Sequence, residues 1–255
     1  MSRSPAVSLL ALLAAACGAL PAPAPTPADL VSGTVNVFAA ASLTEAFKKA
    51  GGDFEAKHGA ARVQFNFAGS PTLVTQLTQG AQADVFASAD QPNMQKALDA
   101  GLCENRPQVF ASNRLEIVVG AGNPKHITGL ADLARSGLLV VLAAPAVPAG
   151  RYAGEALQSA GVKVTPVSQE TDVKAVVSKV ALGEADAGIV YVTDVRSGGA
   201  KVAGVPIPDP QNVVAQYPVV ELKSATSAGS AKAFIDFLLG AQGQKDLAAF
   251  GFGPP

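Results

Sequence analysis

The pattern of apolar and polar positions predicts strands that pass directly into helices. In the run TVNVFAAA at 34–41, apolar positions alternate and small residues follow, which is typical of a buried strand. Ser42 and Glu45 come next with the spacing of a capping box, so a helix is predicted from Ser42 to about Lys57. A strand that ends at a helix N-terminus leaves backbone N–H groups free at the edge of a sheet.

The same succession recurs along the chain. A second alternating run at 61–67 leads to Ser70 and Pro71, which predict the N-cap and the first residue of another helix. Further strands are predicted at 83–89, 115–120, 138–143, 162–167, 187–192, 202–207 and 219–222, and helices at 90–100, 130–135, 149–160, 173–182, 228–239 and 241–250. This alternation predicts an α/β fold with mainly parallel sheets, and the number of strands favours more than one sheet.

Composition and charge narrow the classes of function. The chain has 255 residues, of which 49% are hydrophobic and 15% charged, enough for one large or two medium domains with their own cores. A formal net charge of −1 gives no electrostatic case for binding nucleic acid or an anionic membrane surface. We therefore expect neither as a partner.

The first 17 residues are interpreted as a bacterial lipoprotein signal. Arg3 precedes an apolar run at 6–16 that is too short for a stable membrane span, and small residues lead to Cys17. We expect Cys17 to become the lipidated first residue; ordinary secretory cleavage is the alternative. The proline-rich segment at 18–32 predicts an extended tether. The protein is then exported, to the periplasm or the outer face of the cytoplasmic membrane, and contacts the membrane through its lipid alone.

Four residues lie at or beside predicted helix starts that follow strands: Ser42, Ser70, Ala149 and Val173. Each helix start has backbone N–H groups without acceptors in the helix, and carries about half a positive charge from the helix dipole. Several such ends brought together form a neutral cage of donors for an anion. The alternative is that these ends face solvent and that Ser42 only caps its helix.

Seven motifs, taken in order, resemble the bacterial periplasmic molybdate-binding proteins, which are the solute-binding components of ABC transporters. They are VFAAASLTEAF, FAGSPTL, ADVFASAD, VPAGRYAGEAL, ETDV, GIVYVTDV and the terminal FGFG. The resemblance implies a two-lobed periplasmic-binding-protein fold of type II, whose chain crosses twice between the lobes. One lobe would comprise 33–113 and 215–255, and the other 114–214. The ligand would be molybdate or tungstate in the cleft, with molybdenum held only as its oxyanion and no cofactor.

The resemblance also implies a set of ligand contacts. They fall on Ser42, Ser70, Ala149, Val173 and Tyr191. The two serines would donate through hydroxyl and amide groups, the tyrosine through its phenol, and the other two residues through backbone N–H groups. Pro71 departs from the family pattern, which commonly has a small polar residue there, and removes one N–H group beside Ser70.

The resemblance further implies a monomer that delivers its ligand to a membrane permease and its ATPase. Within the same class, the alternative is a binding protein for another tetrahedral oxyanion such as sulfate or thiosulfate. From other classes, the alternatives are an exported enzyme that acts on a small anion and a sensor or adhesin. The sequence contains no G-x-S-x-G, phosphate-loop or H-E-x-x-H pattern, so we expect no enzymatic activity.

Overall fold

The computed structural model describes residue 1 and residues 31–255. The expected signal, Cys17 and most of the proline-rich tether lie outside the described residues. Within the described part, no helix has the length and apolar character needed to cross a membrane.

The strands are β1 (Gly33–Ala40), β2 (Ala61–Ala68), β3 (Val85–Ala87), β4 (Gln108–Gly120), β5 (Val140–Ala143), β6 (Ser168–Glu170), β7 (Ala187–Tyr191), β8 (Val202–Pro206) and β9 (Val214–Glu221). The helices are α1 (Thr44–Lys57), α2 (Ser70–Thr78), α3 (Gln91–Asp99), α4 (Pro148–Ser159), α5 (Val173–Ala181), α6 (Val192–Gly198), α7 (Ala228–Leu239) and α8 (Ala241–Ala249). Short 3-10 turns occur at Ala41–Leu43, Leu130–Ala134, Gly199–Lys201 and Asp209–Gln211.

The strands form one hydrogen-bonded path in the order β2-β1-β3-β9-β4-β7-β5-β6, with β8 also paired to β4. The long strand β4 joins two halves of this path. Its residues up to Arg114 pair with β9, and its residues from Leu115 onward pair with β7 and β8. We call the part built on β1, β2, β3 and β9 the β1 half, and the part built on β5 to β8 the β5 half. The prediction of separate sheets is corrected to two halves that share β4.

The α/β class is confirmed, but the sheet is mixed and not mainly parallel. Among the described strands, four neighbouring pairs are parallel and four are antiparallel. All four antiparallel pairs involve β4 or β9. An apolar run predicts that a strand is buried but carries no information on its direction, so sequence pattern alone could not reveal this.

Two local predictions were wrong, and one helix was missed. The run at 162–167 is irregular, and the strand forms instead at β6; Pro166 cannot donate a ladder hydrogen bond. Val162 and Val164 nevertheless pack against the core from this irregular segment, which explains their alternation. Strand β4 begins at Gln108, seven residues before the predicted start of 115. Helix α6 was not predicted, because it follows β7 without a proline or glycine to separate them.

The core positions the ends of the strands firmly. Val35 and Val37 of β1 are fully buried, as the alternation predicted. Beside them the rings of Phe47 and Phe54 meet Phe234 of α7 edge-on, at centroid distances of 6.1 and 5.3 Å. Burial of such aromatic side chains is a large stabilising contribution. The carboxyl ends of β1, β2, β5, β6 and β7 are therefore held at fixed places, and each leads within a few residues into a helical segment.

Candidate functional site

A cavity lies between the two halves, where these strands end. Its lining consists of Ala40, Ala41, Ser42, Gly69, Ser70, Ala89, Val147, Pro148, Ala149, Val173 and Tyr191. Together with its opening to solvent, the cavity has about 200 Å³ of atom-free space. All five residues predicted from the resemblance to contact a ligand are in this lining.

Three helices begin in the wall of this cavity. The first residues of α2, α4 and α5 are Ser70, Pro148 and Val173. Asp172 caps α5 by accepting the N–H group of Ala175 at 3.0 Å, which leaves the earlier N–H groups of this helix without an acceptor in the helix. Three positive ends of helix dipoles thus converge on one small volume, and such ends favour a negative ligand.

The two serines are not helix caps, and the predictions that made them caps were wrong. Ser42 lies within the 3-10 turn, and its hydroxyl is 3.0 Å from the hydroxyl of Tyr217. The N-cap of α2 is Gly69, and the Ser70 hydroxyl oxygen instead accepts the N–H group of Ala89 at 3.1 Å. Ser42 and Ser70 are 4% and 1% exposed, so both hydroxyl groups are buried at the cavity wall.

Tyr191 presents a buried hydroxyl group that lacks a hydrogen-bond partner within residues 31–255. The residue is 1% exposed, and burial raises the pKa of its phenol well above the ordinary value. The phenol therefore stays protonated at neutral pH and can act as a donor. A buried donor left unpaired costs about 1–3 kcal/mol, and such a group in a native structure calls for an explanation. An acceptor bound in the cavity provides one.

The cavity is electrically neutral in its side chains, because no lysine, arginine or histidine is among the lining residues of the described chain. Two cations lie outside the lining and pair with carboxylates of the other half. Arg151 of α4 lies 3.3 Å from buried Asp90, and Lys174 of α5 lies 2.7 Å from Glu45 of α1. These pairs join the β1 half to the β5 half near the cavity, so the structure shows the two halves closed against each other.

A buried carboxylate supports the backbone of Tyr191. Asp194 is fully buried, and its Oδ2 accepts the N–H group of Tyr191 at 3.3 Å. Burial raises the pKa of Asp194 to about 6, although Lys174 lies only 3.3 Å from its other oxygen and opposes the shift. The charged form of Asp194 is therefore disfavoured in the folded protein.

We expect this carboxylate to make the fold less stable as pH rises from about 4 to about 6, because in this range the native state binds more protons than the unfolded state. Asp194→Asn removes the titrating group but keeps an oxygen that can accept the Tyr191 N–H group. Urea unfolding of both proteins over this pH range measures the effect. The wild-type free energy of unfolding should fall relative to that of the variant, and parallel curves would contradict the prediction.

Two residues behind Ser42 carried no signal in the sequence. Tyr217 of β9 and Asn113 of β4 are both buried; they contact each other, and Tyr217 contacts Ser42. The two strands meet only in the folded chain, so no local motif marks these residues. Elsewhere in the described chain, no group of three or more histidine, cysteine, aspartate or glutamate side chains has the arrangement needed to hold a metal ion.

Comparison with known proteins places the chain among binding proteins. A family model described as bacterial extracellular solute-binding protein matches residues 35–253. The chain is 44% identical over 242 residues to the molybdate-binding protein ModA of Mycobacterium tuberculosis, covering 94% of this chain and 92% of that protein.

Solved structures of the same architecture include two anion-binding proteins. The Azotobacter vinelandii periplasmic molybdate-binding protein matches with a TM-score of 0.73 and 21% identity, covering 87% of this chain and 99% of that one. The sulfate-binding protein SubI of Mycobacterium tuberculosis matches with a TM-score of 0.77 and 20% identity, covering 87% of this chain and 86% of that one. At this identity the two matches show the fold alone, which is the two-lobed fold of periplasmic binding proteins.

Proposed function

Because the chain belongs to the bacterial extracellular solute-binding proteins, we propose that it captures molybdate between its two halves and delivers it to an ABC importer. The protein is accordingly exported, and it is a binding protein and not an enzyme. One observation on residues 31–255 carries the ligand class: the buried Tyr191 hydroxyl, which has no hydrogen-bond partner among them, shares a cavity with three helix N-termini and with no cationic side chain of this part of the chain. Such a site suits a fully ionised oxyanion that only accepts hydrogen bonds.

In this proposal, neutral donors hold the anion. Ser42 and Ser70 donate through hydroxyl and amide groups, and Tyr191 donates through its phenol. Ala149 and Val173 donate through backbone N–H groups at the starts of α4 and α5. Dipoles that the fold has already oriented offset the cost of removing the dianion from water, so no counter-charge has to contact it.

The same arrangement explains selectivity. Tungstate fits a site built for molybdate, since both are tetrahedral dianions. Sulfate is smaller and would leave donors out of reach. Phosphate near neutral pH carries a proton, and a protonated oxygen would face donors without an acceptor.

We further propose how the chain is organised around the site. Residues 33–113 and 215–255 form one lobe and residues 114–214 the other, which is supported by the change of β4 partners between Arg114 and Leu115. The protein works as a monomer that a permease and its ATPase recognise in the closed form. Its membrane contact is a lipid on Cys17.

Calorimetric titration tests the proposed function. The exported domain is titrated in turn with molybdate, tungstate, sulfate and phosphate. Binding of molybdate and tungstate at one site per chain, with no heat from the other two, supports the proposal. Preferential binding of sulfate would assign the protein to sulfate uptake, and silence with all four anions would contradict an oxyanion site.

Tyr191→Phe separates ligand binding from stability. The hydroxyl has no hydrogen-bond partner to lose in the described part of the free protein, so we expect the free energy of unfolding without ligand to be unchanged or raised. Molybdate affinity should fall about tenfold or more, because a hydrogen bond to a charged group contributes roughly 1.5–3 kcal/mol. Urea unfolding and calorimetry measure the two quantities. Unchanged molybdate affinity would show that the Tyr191 hydroxyl does not bind the ligand and that the side chain only packs in the core.

A further inference from the structure

The orientation of the Asn113 side chain is determined by its neighbours. Its Oδ1 accepts the backbone N–H group of Arg114 at 2.9 Å. Its amide nitrogen therefore points the other way, toward the hydroxyl oxygens of Thr193 at 2.9 Å and Tyr217 at 3.5 Å. Because an amide NH₂ group can only donate, Tyr217 must be the acceptor in this contact.

This contact fixes the direction of the next one. Tyr217 is fully buried, and burial raises the pKa of its phenol, so the hydroxyl keeps its proton. Its oxygen already accepts from Asn113, and the Ser42 hydroxyl lies 3.0 Å away. The Tyr191 phenol lies beside the same tip, but it has hydrogen-bonding geometry with no group of residues 31–255. If Ser42 donated to Tyr217, the buried Tyr217 proton would have no acceptor in the described chain, so we assign this proton to the Ser42 oxygen.

Ser42 in turn has one proton left, and Ser42 lines the cavity. We propose that Asn113 and Tyr217 are positioning residues, which act in series to hold the Ser42 hydroxyl as a donor toward the cavity. The proposal rests on the proposed function, since it concerns how the site holds an oxyanion. Hydrogen bonds in such a chain polarise one another, so the Ser42 proton becomes a better donor.

Ser70 shows the same arrangement by a different route. Its hydroxyl oxygen accepts the backbone N–H group of Ala89 at 3.1 Å, so its proton too is left for the cavity. In both serines the hydroxyl oxygen thus accepts a hydrogen bond from another group of the protein. The cavity presents protons and no free acceptor at these two positions, and this polarity disfavours a protonated oxyanion.

A double-mutant cycle with molybdate tests the relay. Tyr217→Phe keeps the ring, which packs edge-on against Phe110 and Phe252. We expect molybdate affinity to fall about fivefold in Tyr217→Phe and about tenfold in Ser42→Ala. In the Ser42→Ala background, Tyr217→Phe should change affinity by less than about twofold, because the group it orients is gone. Ser230→Ala, which removes a buried hydroxyl outside the cavity lining, is the control and should keep wild-type affinity.

Asn113→Ala tests the relay from its other end and serves if Tyr217→Phe does not fold. It should lower molybdate affinity in the wild-type background and have no further effect when Ser42 is alanine. Equal losses in both backgrounds, or no loss in either, would overturn the relay. If the wild-type protein binds no molybdate, the proposed function is overturned instead. Tungstate and sulfate are titrated as further probes of the same protein.

Discussion

Replacing Gly69 with alanine is expected to weaken molybdate binding by about 5- to 100-fold while leaving the free protein folded, because the added methyl group opposes closure at a cost of roughly 1–3 kcal/mol. Gly69 precedes α2 with φ −58° and ψ 139°, a conformation open to any residue, so alanine causes no backbone strain. Its Cβ would overlap the carbonyl oxygen of Thr171. Thr171 belongs to the β5 half and Gly69 to the β1 half, so the overlap exists only when the halves are closed.

The measurement combines calorimetry with small-angle X-ray scattering. Wild-type protein should become more compact when molybdate is added, whereas Gly69→Ala should bind weakly and remain more open. Gly52→Ala is the matched control, since a Cβ at this exposed position in α1 meets no heavy atom of the described chain within 4 Å and alanine favours the helix. Wild-type affinity in Gly69→Ala would show that binding does not require the contact between Gly69 and Thr171.

The comparison of Ser42 and Asp172 shows what sequence pattern can predict about such a site. Asp172 stands directly before the helix predicted at 173–182, the position of a cap, and it caps that helix because the N–H group that it accepts lies three residues away. Ser42 had the spacing of a cap, but its hydroxyl bonds Tyr217, 175 residues further along the chain. A side chain that could cap its own helix can also hydrogen-bond a residue far away in the sequence. The local sequence pattern does not show whether such a distant partner exists. The place of Ser42 in the cavity was nevertheless anticipated, since it depends on where the strand ends.

The same reasoning applies to the fold. Helix α7 was predicted at its observed bounds, because its apolar face and its ends are local features. The strand predicted at 162–167 failed because strand formation needs a partner, and β5 pairs with 168–170 instead. The mixed sheet escaped prediction for the same reason. Which strands pair, and in which direction, depends on residues far apart in the sequence. Burial patterns and approximate helix starts depend on neighbouring residues and can therefore be predicted.

Removal of both cavity hydroxyls, in Ser42→Ala with Ser70→Ala, should weaken molybdate binding by about 100-fold or more, since each hydrogen bond to the dianion contributes roughly 1.5–3 kcal/mol. The change also affects the free protein. Without Ser70 the N–H group of Ala89 loses its acceptor, and without Ser42 the Tyr217 hydroxyl loses a partner. We therefore expect the free energy of unfolding to fall by about 1–3 kcal/mol for each group left unpaired.

A third serine separates these two effects. Ser230 is buried outside the cavity. Its hydroxyl oxygen accepts the N–H group of Ser32 at 3.0 Å, and its O–H group donates to the Ser32 carbonyl at 2.8 Å. Ser230→Ala should therefore lose stability in the same way but keep wild-type affinity for molybdate. If the double variant behaves like Ser230→Ala in calorimetry and urea unfolding, the two cavity serines stabilise the fold and do not bind the ligand. A loss of affinity confined to the double variant assigns their protons to the oxyanion.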